Sequence, residues 1–265
     1  MAGNAARTPG YDGFVLDLDG TVYLSDRLIP GADRVIAALR GAGKRIVFVS
    51  NKPIDTREAY ARKLTRLGVP TESEDVINSS LVLARYLGRL TPGAAAVVIG
   101  EKPLIDELAA AGIHVTEDPS VARWVVISFD RAFDYRKLRL AFEASRAGAD
   151  LIATNPDRTC PFDGYELPDC AAMIGAVEGC TGRRVETIVG KPSPLIMDVA
   201  LARLGLAPER CLMVGDRPET DVRMGLVAGM DAALVLTGVT RPGAVPVDPA
   251  PTHVLDSVVD LARFL

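Results

Sequence analysis

A chain of 265 residues with 48% hydrophobic and 24% charged residues has apolar material for one large or two modest cores and the composition of a folded globular protein. A net charge of −4 gives no basic footprint for nucleic acid or an anionic membrane surface, so the expected partner is a small molecule. No apolar run is long enough to cross a bilayer, and Met1 to Tyr11 lacks the charged-then-apolar layout of a secretory leader, so the cytoplasm is the expected compartment.

The first element, Phe14-Val15-Leu16, is an apolar strand that opens onto Asp17 and Asp19. Side chains alternate along an extended segment, so the two acids project the same way where the strand leaves its sheet. Gly20 permits a sharp turn and Thr21 adds a hydroxyl. Pro30-Gly31 then introduces a helix carrying Val35, Ile36 and Leu39 that stops at Gly41 to Gly43. The next strand, Arg45 to Val49, leads to Ser50-Asn51, and Asp55 or Thr56 caps a helix running through Tyr60 and Leu64 to Leu67.

Ala95 to Ile99 and Trp124 to Phe129 read as strands, followed by helices over Leu104 to Ala111 and Tyr135 to Ala147. Leu151 to Ala153 is another strand and Ala171 to Thr181 another helix, so this middle block has the rhythm of a domain of its own. Thr187 to Gly190 leads to Lys191, and Cys211 to Val214 leads to Gly215-Asp216 and Asp221. Pro242 to Pro251 reads as a surface loop before a last strand and helix. The alternation predicts an α/β fold with doubly wound parallel sheets covered by helices. Cys160, Cys170, Cys180 and Cys211 lack metal-knuckle spacing and are expected as packed thiols, and His114 and His253 as structural residues.

In doubly wound sheets, ligands gather beyond the carboxyl ends of the strands, and four such ends carry polar groups here. The economical reading is one site built from all four. Two acids spaced by one residue repel each other unless a cation neutralises them, and carboxylate oxygens suit Mg²⁺. Asp17 is then a nucleophile toward phosphorus, and Asp19 a general acid and base. Mg²⁺ is held by Asp17, the backbone carbonyl of Asp19 and Asp216, with Asp221 orienting that shell. Gly20, Thr21, Ser50, Asn51 and Lys191 hold the phosphoryl oxygens.

These residues resemble the four motifs of the haloacid dehalogenase superfamily: Asp17-Leu-Asp-Gly-Thr21, Ser50-Asn51, Lys191 and Gly215-Asp216 with Asp221. The resemblance implies a Rossmann-like core, and Asp19 places the chain with phosphatases and phosphomutases. Only 33 positions separate Asp17 from Ser50, whereas 141 separate Ser50 from Lys191. An inserted α/β cap after the second motif is the NagD-like arrangement, implying a core over 1–81 and 183–265 and a cap over 82–182. Within that branch the pattern is similar to AraL-type sugar phosphatases, on Trp124 to Ser128, Ile152 to Asn155, Asp157-Arg158 and Ala172 to Glu178. Cap segment Asn155 to Asp169, expected as a polar loop, is the candidate for touching the leaving group through Asn155, Asp157 and Arg158.

The expected activity is Mg²⁺-dependent hydrolysis of a small phosphomonoester, a sugar phosphate before others, through a phosphoaspartyl intermediate. A nucleotide of the UMP type or phosphoglycolate is the alternative substrate. A non-catalytic phosphometabolite binder is the remote alternative, opposed by the presence of both Asp17 and Asp19. Neither nucleic acid nor membrane is an expected partner, and a homodimer is compatible with the reading.

Overall fold

The computed structural model describes residues 10–162 and 165–265. Residues 1–9, part of the stretch that lacks a leader's layout, and residues 163–164, within Asn155 to Asp169, lie outside the described residues. In chain order the elements are β1 (Gly13–Asp17), β2 (Tyr23–Leu24), β3 (Arg27–Leu28), α1 (Ala32–Gly41), β4 (Arg45–Ser50) and α2 (Arg57–Arg66). Next come β5 (Val76–Asn78), α3 (Ser79–Leu90), β6 (Ala95–Ile99), α4 (Lys102–Ala110), β7 (His114–Val115), β8 (Trp124–Ile127) and α5 (Tyr135–Arg146). They are followed by β9 (Asp150–Ala153), β10 (Thr159–Phe162), β11 (Tyr165–Pro168), α6 (Cys170–Thr181), β12 (Thr187–Ile188) and α7 (Pro194–Leu204). The chain closes with β13 (Cys211–Gly215), a π-helical turn (Pro218–Val222), α8 (Arg223–Val227), β14 (Asp231–Val235), β15 (His253–Leu255) and a 3₁₀ helix (Val258–Phe264).

Two compact units emerge, the first comprising the chain up to Val49, Arg62–Thr71 and Ala200–Leu265, the second Ser50–Ala61 and Glu72–Val199. A six-stranded sheet has the order β15-β14-β13-β1-β4-β5, with β15 through β4 paired in parallel. All five residues of β1 are buried, which is why its sequence is apolar without alternation: a parallel strand at mid-sheet has both faces covered. Helix α1 buries Ala32, Val35, Ile36 and Leu39, the stripe expected from its spacing.

In the second unit β12-β9-β8-β6-β7 form a parallel sheet, so Thr187-Ile188 ends as the edge strand beside β9. Its core gathers Val97, Ile99, Val125, Ile127 and Leu151 with Ala141, Ala144, Met173 and Val177 of α5 and α6. The caps follow side-chain chemistry: Asn78 accepts from Leu81 N, Asp134 from Lys137 N, and Thr56 rather than Asp55 from Ala59 N, at 3.0, 2.8 and 3.2 Å.

Three expectations change. The segment Asn155 to Asp169 is not simply a loop, because β10 and β11 pair antiparallel, with Thr159 opposite Pro168 and Phe162 opposite Tyr165. Each strand satisfies the other's backbone groups. Cys180 is exposed while Cys160, Cys170 and Cys211 are buried and unbridged. The last helix is 3₁₀, held at its start by a capping box between Ser257 and Asp260. Among the described residues no helix is long and apolar enough to cross a membrane.

At the amino ends of β1, β14 and β15, the Tyr11 hydroxyl donates to Asp231 Oδ2 at 2.5 Å and lies 2.8 Å from His253 Nε2. Tyr11, His253 and Phe264 pack ring to ring around this tie. Burial lowers the His253 pKa, Arg263 adds to the effect, and Asp231 opposes it. A histidine depressed in the folded state supports the fold while neutral, and that support fades as pH falls from about 6.5, the unfolded value, through the lowered folded one. Urea midpoints measured between pH 7.5 and 5 should therefore fall less steeply in His253→Gln than in the wild type. Equal slopes would remove His253 from the acid limb.

Candidate active site

Chain connectivity sets the first cluster. Strand β1 ends at Asp17, and its parallel neighbour β13, with Leu16 opposite Val214, delivers Asp216 beyond the same edge. Asp221 follows on the π-helical turn, a local widening of the kind that recurs at functional sites. All three carboxylates are buried, with one oxygen from each within 4.8 Å of the others. Burial foremost, then Asp17 and Asp221, push the Asp216 carboxyl up to about 8.

Glycines let the backbone close on these acids. Gly20 has φ +96°, and a Cβ there would stand 2.5 Å from Asp216 Oδ2; at Gly238 it would stand 1.9 Å away. At Gly215 a Cβ would fall 2.3 Å from the Asp221 side chain. Val239 N donates to Asp216 Oδ2 at 2.5 Å, Arg217 N to Asp221 Oδ2 at 3.1 Å, and Thr237 Oγ1 to the Gly20 carbonyl at 2.6 Å. After Leu18 the chain turns tightly: the N–H groups of Thr21, Val22 and Tyr23 all point at the Leu18 carbonyl.

The Thr21 hydroxyl is wholly buried and meets no hydrogen-bond partner among the described residues. Asp19 is half-buried and lies outside the carboxylate trio. Three converging buried acids, one of them pushed up by burial and then by its acid neighbours, fit a divalent cation, which would cancel their mutual repulsion.

The second cluster belongs to the other unit. Asn51 is buried after β4, and its carboxamide holds Lys191 from both sides: Oδ1 accepts from Lys191 N at 2.7 Å and Nδ2 donates to Lys191 O at 3.1 Å. Nδ2 also donates to Asp157 Oδ2 at 3.0 Å. The Asn51 carbonyl accepts from Asn155 Nδ2 and Ser79 Oγ, while Asn155 Oδ1 accepts from Asp157 N. Ser50 is buried, and its hydroxyl accepts from Lys52 N at 3.2 Å.

Of the three candidates for touching a leaving group, Asn155 is 0% exposed and its side chain is spent on neighbours, Asp157 is half-buried against Asn51, and Arg158 is exposed. Sequence reading missed Thr237, Gly238 and Val239 after β14, because an isolated Gly carries no chemical signal until its acid neighbour is located. Gly190 was missed as a contact residue too; a Cβ there would lie 2.4 Å from the Thr154 carbonyl and 2.6 Å from Asn51 Oδ1.

The haloacid dehalogenase-like hydrolase family matches residues 14–114, and a second family described as HAD-hydrolase-like matches 188–261. The sugar-phosphatase AraL of Bacillus subtilis is 40% identical over 95% of this chain and 92% of its own length. The chain belongs to the haloacid dehalogenase-like hydrolases. Within that superfamily this hydrolase is similar to the glycerol-3-phosphate phosphatase of Gallus gallus, 35% identical over all of this chain and 96% of the other. It is also similar to the solved structure of NagD from E. coli K-12, with a TM-score of 0.86, 30% identity and coverage of 94% and 98%. It is therefore a NagD-like phosphatase of phosphorylated small molecules, with the α/β fold and cap of that branch.

For this phosphatase the close approach of Gly238 to Asp216 has a measurable consequence. Gly238→Ala would set a Cβ 1.9 Å from Asp216 Oδ2, so the carboxylate must shift, and phosphate release should fall at least ~10-fold; each ~1.4 kcal/mol of lost transition-state stabilisation is tenfold in rate. Activity within twofold of wild type would mean that the Asp216 position is not critical.

Proposed function

We propose that the enzyme hydrolyses small phosphomonoesters, sugar phosphates foremost, in a Mg²⁺-dependent reaction through a phosphoaspartyl intermediate. The observation that carries this reading is the burial of Asp17 in a carboxylate trio at the end of β1, with Asp19 two residues on and outside that trio. The likeness to a sugar phosphatase over nearly the whole chain supports the substrate class, and the likeness to a glycerol-3-phosphate phosphatase supports a short polyol phosphate as the second reading.

Asp17, Asp216 and Asp221 would hold Mg²⁺, which when bound neutralises the repulsion between carboxylate and phosphate. Asp17 attacks phosphorus and takes the phosphoryl group, releasing the alcohol. Asp19 protonates the departing oxygen and then takes the proton of the water that attacks the acyl phosphate, restoring Asp17 and freeing inorganic phosphate. Ser50 and Lys191, with the turn at Gly20 and Thr21, bind the phosphoryl oxygens, and Asn51 fixes Lys191. Arg158, exposed ahead of the β10–β11 hairpin, is the cap residue assigned to the leaving group.

Two measurements test these roles. Asp19→Asn should cost ~10²- to 10⁴-fold in turnover of glucose 6-phosphate, whose alkoxide needs a proton, the range expected for one general acid. With p-nitrophenyl phosphate the first step, phosphoryl transfer to Asp17, should suffer far less, because that phenolate leaves unaided. Equal losses in that first step on both esters, followed by single-turnover release of the alcohol or phenol, remove Asp19 as the acid. Separately, EDTA should abolish phosphate release and added Mg²⁺ restore it, while Asp216→Asn should raise the Mg²⁺ concentration needed for half-activation. Full activity in EDTA overturns the cation's part in the reaction.

A further inference from the structure

Asp157 stands in a segment that sequence reading assigned to leaving-group recognition, yet its carboxylate faces inward. It accepts a hydrogen bond from Asn51 Nδ2 at 3.0 Å, and the same Asn51 carboxamide clasps the N–H and the carbonyl of Lys191. We infer that Asp157 is a positioning residue for Lys191, acting through the orientation of the Asn51 side chain. This inference rests on the phosphatase reading above.

A carboxamide can be seated two ways round, and the surroundings decide which. As seated, Oδ1 meets the Lys191 N–H, and Nδ2 meets two acceptors, the Lys191 carbonyl and Asp157 Oδ2. Flipped, the amide NH₂ would oppose the Lys191 N–H, and the oxygen would face a carbonyl and a carboxylate. An ionised carboxylate can only accept, so Asp157 makes the flipped state costlier than backbone groups alone would. Asn155 Oδ1 holds the Asp157 N–H at 2.9 Å, and Asn155 Nδ2 holds the Asn51 carbonyl at 3.2 Å, closing the frame. There is no room at Gly190 for a side chain that would wedge Asn51 from Lys191. A lysine ammonium on four rotatable bonds is placed no better than its backbone is, and here both peptide groups of Lys191 are tied to one side chain.

The test uses the full-length enzyme with glucose 6-phosphate, glycerol 3-phosphate and p-nitrophenyl phosphate, and inorganic phosphate as competitive inhibitor. Asp157→Ala should lower kcat/KM by a common factor of about ten or more on all three esters and raise the inhibition constant of phosphate in parallel. Asp157→Asn, which keeps an acceptor for Asn51 Nδ2, should stay within about threefold of wild type. The double variant Asn51→Ala with Asp157→Ala should be no worse than Asn51→Ala alone, as for residues acting in one chain of contacts.

A reordering of the three substrates by Asp157→Ala with phosphate inhibition unmoved, or additive losses in the double variant, overturns the inference. Should Asp157→Ala not fold, Asn51→Asp carries the test. It sets two carboxylates against each other, and adding Asp157→Asn must recover activity at least threefold; no recovery overturns the inference. A wild type that releases phosphate from none of the esters overturns instead the function on which the inference rests.

Discussion

Three buried carboxylates, one oxygen of each within 4.8 Å of the others, are the constraint around which the first unit is arranged. Asp17, Asp216 and Asp221 repel each other without a cation, and burial removes the water that would soften that repulsion, so much of the local structure is devoted to holding them. The parallel pairing of β1 with β13 fixes the spacing of two of them, and the π-helical turn brings the third back toward the strand end. Backbone N–H groups of Val239 and Arg217 bind oxygen atoms directly, and Gly20, Gly215 and Gly238 let the main chain come close enough to do so. This is an arrangement in which backbone, rather than flexible side chains, sets the position of negative charge.

The second unit shows the same strategy with opposite polarity. Lys191 is buried, and its backbone is held by a neutral carboxamide whose orientation is read by a carboxylate. Asn51, Asn155, Asp157 and Ser79 spend their polar atoms on one another and on Lys191. Such a network of mutually bonded polar atoms favours one arrangement, and that supplies positional precision to the group it surrounds.

Much of this was legible in the chain because chemistry at strand ends leaves short, spaced signatures. Asp17-Leu-Asp-Gly-Thr21 and Gly215-Asp216 announce themselves, since an apolar run that stops at an acid sets a charge at the rim of a sheet, where ligands gather. The stripes of α1 and α2 were visible because Val35, Ile36 and Leu39, and Tyr60 and Leu64, fall at helical spacing and are buried. What stayed hidden depended on contacts distant in sequence. Gly238 matters only because Asp216 reaches it, and Asn155 looks like a solvent-facing loop residue until Asn51 is found beside it. The β10–β11 hairpin escaped because its arms are four residues each and carry Pro161 and Pro168, which weaken a strand pattern. Thr187 to Gly190 was read as a strand end leading to Lys191, but so short a run cannot declare which sheet it joins, and only Thr187-Ile188 is strand, beside β9.

The strand order carries a further meaning for how the molecule is made. Residues 13–17, among the first described residues to leave the ribosome, find one of their two sheet neighbours in Cys211–Gly215, close to two hundred residues downstream. Until that segment emerges, β1 and β4 present an open parallel edge, the kind of surface that recruits other nascent strands. The strands of the five-stranded sheet all lie between Ala95 and Ile188, and every partner in that sheet is translated before β13 appears. Vectorial synthesis therefore lets the inner sheet close first, and leaves the strand of Asp17 waiting on the last quarter of the message. A chain cut short before β13 thus lacks Asp216 and Asp221 together with the wall of its own sheet, so an unfinished product of translation carries neither the acid trio nor the fold that would hold it.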